Sequence, residues 1–306
     1  MGAPLERQAV AGASCGMDTA SETGEHIVDV LIAERAPRLR ASPAWPVVKP
    51  VLYRMLGYDD ARAMADAIAS MGGYEAMDYA SRLLHLDLTV IGAERIPPTG
   101  KVCIIANHPT GLADGVAVYD ALKAARPDVM FFANSDAHRI NPRLSDIFIP
   151  VEWVPSKRTR ERTRQTLQLA NEAFAAGRAL VIFPAGAIST PDKEKRLTDP
   201  AWQTTAVSLA RKHEAPVLPV HVAGPASRLF NGFHAASKTL PLSKELRDIT
   251  LFQELLNKTG ERFEVVIGPL IQPSALQAEA AETTAALKRY IERELPENPQ
   301  QAFRFI

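Results

Sequence analysis

Cysteine is scarce: the 306 residues hold two, Cys15 in a polar stretch and Cys103 in an apolar run. Two thiols cannot build a disulfide framework, and such usage fits a reducing compartment. Charge of one sign is not in excess either, with 35 Lys plus Arg against 35 Asp plus Glu. A balanced chain has no global field to draw it to nucleic acid or to an anionic surface, so no nucleic-acid partner is expected and any membrane contact has to be local. No apolar run approaches the ~20 residues that cross a bilayer; Val102 to Ala106 and Ala179 to Phe183 are strand-sized. The first two dozen residues lack the apolar stretch of a signal peptide and read as a flexible tail over 1–24. Metal spacings such as His-Glu-x-x-His and Cys-x-x-Cys are missing, as are Gly-x-Gly-x-x-Gly and Gly-x-x-x-x-Gly-Lys, so neither a metal, a dinucleotide nor a nucleoside triphosphate is expected.

What is present is apolar residue, 46% of the chain, enough for one substantial core. Two helical signals come first. From Pro43 to Leu56, Trp45, Val47, Val48, Val51, Leu52, Met55 and Leu56 form a stripe broken by Lys49 and Arg54, and from Asp59 to His85 apolar residues recur at helical spacing, with Gly72-Gly73 splitting the run. After Leu86 the pattern changes to short apolar runs separated by helices. Strands are predicted at Leu86 to Ile91, Val102 to Ala106, Val129 to Ala133, Ala179 to Phe183, Val217 to Val222 and Phe263 to Ile267. Helices are predicted from Asp114 to Ala125, from about Arg158 to Ala176 closed by Gly177, from Pro200 to Lys212, and from Ala275 to Glu294. The expected fold is α/β: a single mixed, mostly parallel sheet covered by helices over 86–306, with an N-terminal helical appendage over 25–85.

One segment stands out for chemistry, Ile104-Ile105-Ala106-Asn107-His108-Pro109-Thr110-Gly111-Leu112-Ala113-Asp114-Gly115. An apolar strand ends in a loop holding a histidine, and an aspartate then opens a helix. Loops at strand C-termini are where open α/β sheets bind ligands. Histidine, with an unperturbed pKa near ~6.5, can take a proton at neutral pH, and a carboxylate on its far ring nitrogen fixes the tautomer. A loop histidine beside an N-capping aspartate is the plain alternative. A second strand-end loop, Phe183-Pro184-Ala185-Gly186-Ala187-Ile188-Ser189-Thr190, is rich in small residues that allow close backbone approach.

The order of segments resembles the lysophospholipid or glycerolipid acyltransferase family, which includes the 1-acylglycerol-3-phosphate acyltransferases. Its four blocks appear here as Asn107-His108 to Asp114, Ile147 to Val151, Phe183-Pro184-Ala185-Gly186 and Leu218-Pro219-Val220, over roughly residues 80 to 270. There are two departures. Five residues separate His108 from Asp114 where the main HxxxxD motif has four, and Ala185 stands where a glutamate helps hold glycerol phosphate. Both match the branch labelled hemolysins and related to lyso-ornithine lipid acyltransferases. Ser227-Arg228-Leu229-Phe230-Asn231 and Glu254-Leu255-Leu256-Asn257-Lys258 are further echoes.

The resemblance implies phospholipid biosynthesis: an O-acyltransferase that moves a fatty acyl group from an acyl thioester to the hydroxyl of a lyso-lipid, with His108 as general base and Asp114 as its orienting partner. The acyl donor, acyl carrier protein or coenzyme A thioester, is a substrate, and no cofactor is expected. Asn107, Pro109, Thr110, Gly111, Phe183, Pro184, Ala185, Gly186 and Ser189 would line the substrate site. Lys157 and Arg158 could replace the phosphate-site arginine that the Ile147 to Val151 block lacks, or belong to a solvated helix start. Backbone N–H groups near Gly111 or Gly186 are candidates for the oxyanion. Lys157, Arg158, Arg160, Arg162 and Arg164 could dock an acidic carrier or form a solvated helix face. The expected location is cytoplasmic, peripheral to the inner membrane, with Trp45, Tyr53 and the stripe around them either at the membrane surface or packed onto the α/β domain. Two other classes stay open. One is a serine hydrolase using His108 and Asp114 with Ser189, against which the chain is read as having no Gly-x-Ser-x-Gly elbow; the other is a non-catalytic lipid-binding protein of the same fold.

Overall fold

A computed structural model describes residues 24–152, 157–226, 245, 249 and 255–305. Five helices lead: α1 (Ile27–Arg35), α2 (Pro37–Ala41), α3 (Trp45–Met55), α4 (Tyr58–Ile68) and α5 (Gly73–Leu84). The body follows as β1 (Asp87–Ile91), β2 (Val102–Ala106), α6 (Leu112–Leu122), β3 (Met130–Asn134), α7 (Asp136–Ile140), β4 (Phe148–Val151), α8 (Arg160–Ala175), β5 (Ala179–Ile182), the short pair β6 (Thr190–Pro191) and β7 (Leu197–Thr198), α9 (Thr205–Lys212), β8 (Val217–Ala223), β9 (Arg262–Ile267) and α10 (Ala280–Arg289). None of the described helices is long and apolar enough to cross a membrane.

Seven strands form one sheet in the order β1-β9-β8-β2-β5-β3-β4. Its pairings are parallel except β8 with β9, so the sheet is mixed and mostly parallel, as expected. Strand β2 lies inside the sheet between β8 and β5, and its five residues are at most 1% exposed. Side chains alternate across a pleated strand. Val102, Ile104 and Ala106 therefore join the layer with α6, while Cys103 and Ile105 join the layer with α8 and α9. A strand covered on both faces has no polar positions, which is why this one reads as an unbroken apolar run.

The crossover from β2 leads to β3 on one side, whereas the chain from β5 reaches β8 on the other. The connections diverge at the end of β2, the kind of crevice where doubly wound sheets bind ligands. The helices α1, α3 and α4 share a separate apolar cluster with Val28, Ile32, Leu52, Leu56, Ala61 and Ala65, and α5 instead sends Met77 and Leu84 into the main core.

The structure corrects three expectations. The helix predicted from Pro200 begins at Thr205: residues 199–203 are irregular, with Asp199 bonded to His108 N and to Trp202 Nε1, and Gln203 N donates to Pro184 O. The helix predicted from Ala275 to Glu294 is broken: a 3₁₀ turn over Pro273–Leu276 precedes α10, and a π-helical turn follows over Tyr290–Glu294. Strand β4, which carries Pro150, was not among the predicted strands; it lies at the sheet edge, where a residue without an N–H is tolerated. The Gly177 prediction holds, since that residue ends α8 at φ 72°.

Candidate active site

The loop after β2 is built around Asp114, which is completely buried. Its Oδ2 accepts from Thr110 N at 2.8 Å and Gly111 N at 2.9 Å, and its Oδ1 accepts from Thr110 Oγ1 at 2.6 Å. Asp114 is the third residue of α6, so its bond to Gly111 N satisfies the N-cap donor that the helix leaves unpaired, and its charge lies at the positive end of the helix. Gly111 makes the turn possible. Its φ of 98° and ψ of −136° suit glycine alone, and a Cβ there would meet Ile188 Cδ1 at 2.9 Å.

This fold-back brings His108 Nδ1 to 3.0 Å from Asp114 Oδ2. The contact is close but lies off the direction of a ring N–H, so Nδ1 makes no aligned hydrogen bond. Free enzymes often show such loose catalytic contacts before substrate aligns them. The imidazole stacks on Phe183 with centroids 4.5 Å apart, and its side chain is 19% exposed. One face of the ring thus rests on the end of β5, and the group still reaches solvent. The capping role and the histidine contact are both present on one carboxylate.

Several residues expected to face substrate are turned inward. Asn107 Nδ2 donates to Val222 O at 2.9 Å and its Oδ1 accepts from Val222 N at 2.7 Å, so its amide ties the loop to β8. Thr110 bonds Asp114, and Ser189 Oγ donates to Asp199 Oδ1 at 2.5 Å. Pro109 and Pro184 are buried, while Ala185 and Gly186 are half-buried near the ring. The expected oxyanion donors are occupied too: Gly111 N–H is held by Asp114, and Gly186 N–H donates to Phe183 O at 3.1 Å. The turn at Gly186, with φ 60°, closes on itself.

Lys157 and Arg158 stand apart from this centre. They follow β4, which is three strand spacings from β2, or about 14 Å at the usual separation. Lys157 Nζ binds Glu34 Oε2 at 2.9 Å, and Arg158 Nε donates to Glu152 O at 3.0 Å. Of the further echoes, Ser227 to Asn231 and Glu254 lie outside the described residues; Lys258, 3% exposed, donates to Pro225 O at 2.8 Å and braces the exit of β8.

Two residues near the site escaped the sequence reading, Asp199 and Trp202. Asp199 accepts from Trp202 Nε1 at 2.8 Å and from His108 N at 3.2 Å. An aspartate before a proline reads as a helix start, and nothing local shows that its carboxylate points 91 positions back. The expectation of no Gly-x-Ser-x-Gly pattern is corrected by the sequence itself: Gly12-Ala13-Ser14-Cys15-Gly16 has that spacing, in the polar N-terminal stretch, outside the described residues and with no strand-like run before it. No group of three or more His, Cys, Asp or Glu able to hold a metal occurs among the described residues.

Comparison with known proteins bears on this site. The family model described as Acyltransferase matches residues 87–223, from β1 through β8. The lyso-glycine lipid O-acyltransferase of Phocaeicola vulgatus is 25% identical over 197 residues, 64% of this chain and 68% of that protein. Its namesake from Bacteroides thetaiotaomicron is 21% identical over 242 residues, 79% of this chain and 86% of that protein. Among solved structures, the 1-acyl-sn-glycerophosphate (LPA) acyltransferase PlsC from Thermotoga maritima aligns over 91% of this chain and 99% of its own, at 16% identity and a TM-score of 0.46. The domain match and the names of the two curated relatives agree on acyl transfer: the chain carries an acyltransferase-type domain over residues 87–223 and is similar to lipid O-acyltransferases.

Proposed function

We propose that the enzyme transfers a fatty acyl group from a thioester to the hydroxyl of a lyso-lipid, with His108 as general base and Asp114 as its orienting partner. The observation that carries this reading is the 3.0 Å approach of His108 Nδ1 to a fully buried Asp114 at the end of a central strand, with the ring still reaching solvent. A carboxylate beside Nδ1 favours the proton there and leaves Nε2 able to accept one. The acceptor hydroxyl gives its proton to Nε2 as its oxygen bonds to the thioester carbon. The tetrahedral intermediate then expels the thiolate, which recovers the proton from the imidazolium. No covalent enzyme intermediate is needed. The engagement of Ser189 Oγ with Asp199 argues against a serine nucleophile.

The acceptor in this reading carries an amino-acid head group. Ala185 removes the glutamate that the main family uses near glycerol phosphate, the Ile147 to Val151 block has no arginine, and the curated relatives are named for lyso-glycine lipid. The donor is a carrier-bound thioester. Arg160 and Arg164, one turn apart on the exposed first half of α8, suit an acidic carrier protein.

The enzyme meets its lipid at a membrane through α3. Leu52 and Leu56 are buried at 4% and 2%, while Val47, Val51 and Met55, spaced four apart, are 76%, 69% and 38% exposed. An apolar stripe left in water at helical spacing, with Arg54 beside it, fits an interfacial helix. Tyr53 faces inward, its hydroxyl donating to Asp29 at 2.8 Å.

The reading is tested by supplying carrier-protein and coenzyme A thioesters with lyso-lipids bearing glycine, ornithine or phosphate head groups, and measuring free thiol and acylated lipid. Stoichiometric thiol and product are expected with an amino-acid lipid, and His108→Ala should lose on the order of 10²–10⁴ in rate. Thiol release without acylated lipid, or labelling of Ser189 by a fluorophosphonate, would instead mark a hydrolase. Val47→Asp with Val51→Asp should abolish flotation with vesicles and leave turnover of a detergent-dispersed substrate intact.

A further inference from the structure

Behind the loop that carries His108 lies a second buried carboxylate that the chemistry above does not use. Asp199, 4% exposed, sits just past β7. Its Oδ1 accepts from Ser189 Oγ at 2.5 Å, its Oδ2 accepts from Trp202 Nε1 at 2.8 Å, and the backbone N–H of His108 lies 3.2 Å from both oxygens. The carbonyl of His108 accepts from Ser189 N at 3.0 Å. Both backbone polar groups of His108 are therefore held, one by Asp199 and the other by the residue whose hydroxyl Asp199 holds.

Asp199 is itself braced from the C-terminal helix. Its N–H donates to Glu292 Oε1 at 2.8 Å, and Glu292 Oε2 accepts from Thr198 Oγ1 at 2.8 Å and Lys288 Nζ at 2.7 Å. Burial pushes the Asp199 carboxyl pKa up, and the bonds from Ser189 and Trp202 work against that rise. A buried acceptor that meets three donors is a strong restraint because each lost bond leaves an unsatisfied polar group.

We propose that Asp199 is a positioning residue for the transfer reaction: its carboxylate fixes the backbone of His108 and so sets the imidazole between Asp114 and Phe183, with Glu292 holding Asp199 in place. The proposal rests on His108 acting as the base. Small losses of alignment at a reacting group are costly, on the order of 10²-fold for ~1 Å. Replacing the acid by an amide keeps the volume but turns one acceptor into a donor facing the Trp202 or His108 N–H.

The test is a double-mutant cycle on the 306-residue chain. Asp199→Asn should lower kcat by about 10–100-fold with KM for both substrates little changed. Trp202→Phe, which removes the indole donor and leaves the His108 contact, should keep kcat near that of the parent. In a His108→Ala background, Asp199→Asn should leave the residual rate as it is, since the group acts through the imidazole. Parental kcat in Asp199→Asn, an equal loss in Trp202→Phe, or the same fold-loss with and without His108 would each overturn the proposal. If Asp199→Asn does not fold, Glu292→Gln takes its place with the same readings: a loss of kcat that disappears in the His108→Ala background supports the proposal, and a parental kcat overturns it. A His108→Ala enzyme with parental rate would overturn the general-base reading and this proposal with it, whereas loss of turnover there and none in Asp199→Asn would overturn this proposal alone.

Discussion

Carboxylates hold two regions of the molecule together, and they do so in opposite ways. In the loop after β2, Asp114 is wholly buried, takes its donors from Thr110 and Gly111, and lies against His108. In the N-terminal helices, Glu34 is about a third exposed and takes Arg139 at 2.8 Å and Lys157 at 2.9 Å. A buried cluster has one low-energy arrangement, because any other leaves polar groups without partners. Exposed pairs between long side chains exchange readily with water. The comparison separates restraint from attachment: buried bonds hold the loop after β2 in one arrangement, while Glu34 joins α1 to Arg139 and Lys157 by replaceable surface bonds.

The sharpest way to break that comparison is at Asp114. If its charge serves the imidazole and its oxygens serve the loop, the two roles come apart on substitution. Asp114→Ala should cost roughly 2–4 kcal/mol of stability, from the lost cap and the orphaned N–H groups, and should also abolish transfer. Asp114→Asn keeps an acceptor for the loop and should stay within about 1 kcal/mol of the parent while kcat falls on the order of 10²–10⁴-fold. Denaturant melts and initial rates on the same preparations check both. Equal activity in Asp114→Asn and the parent would reduce Asp114 to a helix cap.

Gly111→Ala comes next in size. The φ of 98° is unfavourable for any residue with a Cβ, and the new methyl would press on Ile188. A loss of about 2–3 kcal/mol is expected from backbone strain. The loop that answers by shifting is the one carrying His108, so activity should fall with stability. A melt unchanged from the parent would show that the loop is softer than its hydrogen bonds imply.

These two residues also mark where sequence is a sufficient guide. His108 and Asp114 belong to one short loop, so their proximity follows from a strand, a glycine turn and a helix start. Interior strands are legible for a related reason: Val102 to Ala106 and Ala179 to Ile182 are apolar on both faces, and few other structures need that. The edge strand Phe148–Val151 is apolar but only four residues long and carries a proline, which argues against a strand in the sequence, so it escapes the same reading. Asp199 is illegible because its partners Ser189 and His108 are 10 and 91 positions away. The inward turn of Asn107 depends in the same way on Val222, 115 positions on. Contacts made through the sheet, rather than along the chain, separate the expected site lining from the observed one.

The smallest effect is expected in the N-terminal helices, and its pH dependence gives the comparison its finest test. The Arg139 guanidinium, with help from Lys157, holds the Glu34 carboxyl well below its ordinary value near 4.5, at about 2. A depressed folded-state pKa contributes stability that is complete above the unfolded value and disappears as pH falls through the folded one. Glu34→Gln should therefore be less stable than the parent at neutral pH, the difference shrinking as pH falls from about 4.5 towards about 2. Because the group is about a third exposed, the gap should be no more than ~1 kcal/mol and should narrow in high salt. Transfer to a detergent-dispersed lipid should be unaffected, since nothing in the loop after β2 depends on this pair. A gap of several kcal/mol, or a matching loss of kcat, would mean that the surface bonds restrain the active site as the buried ones do.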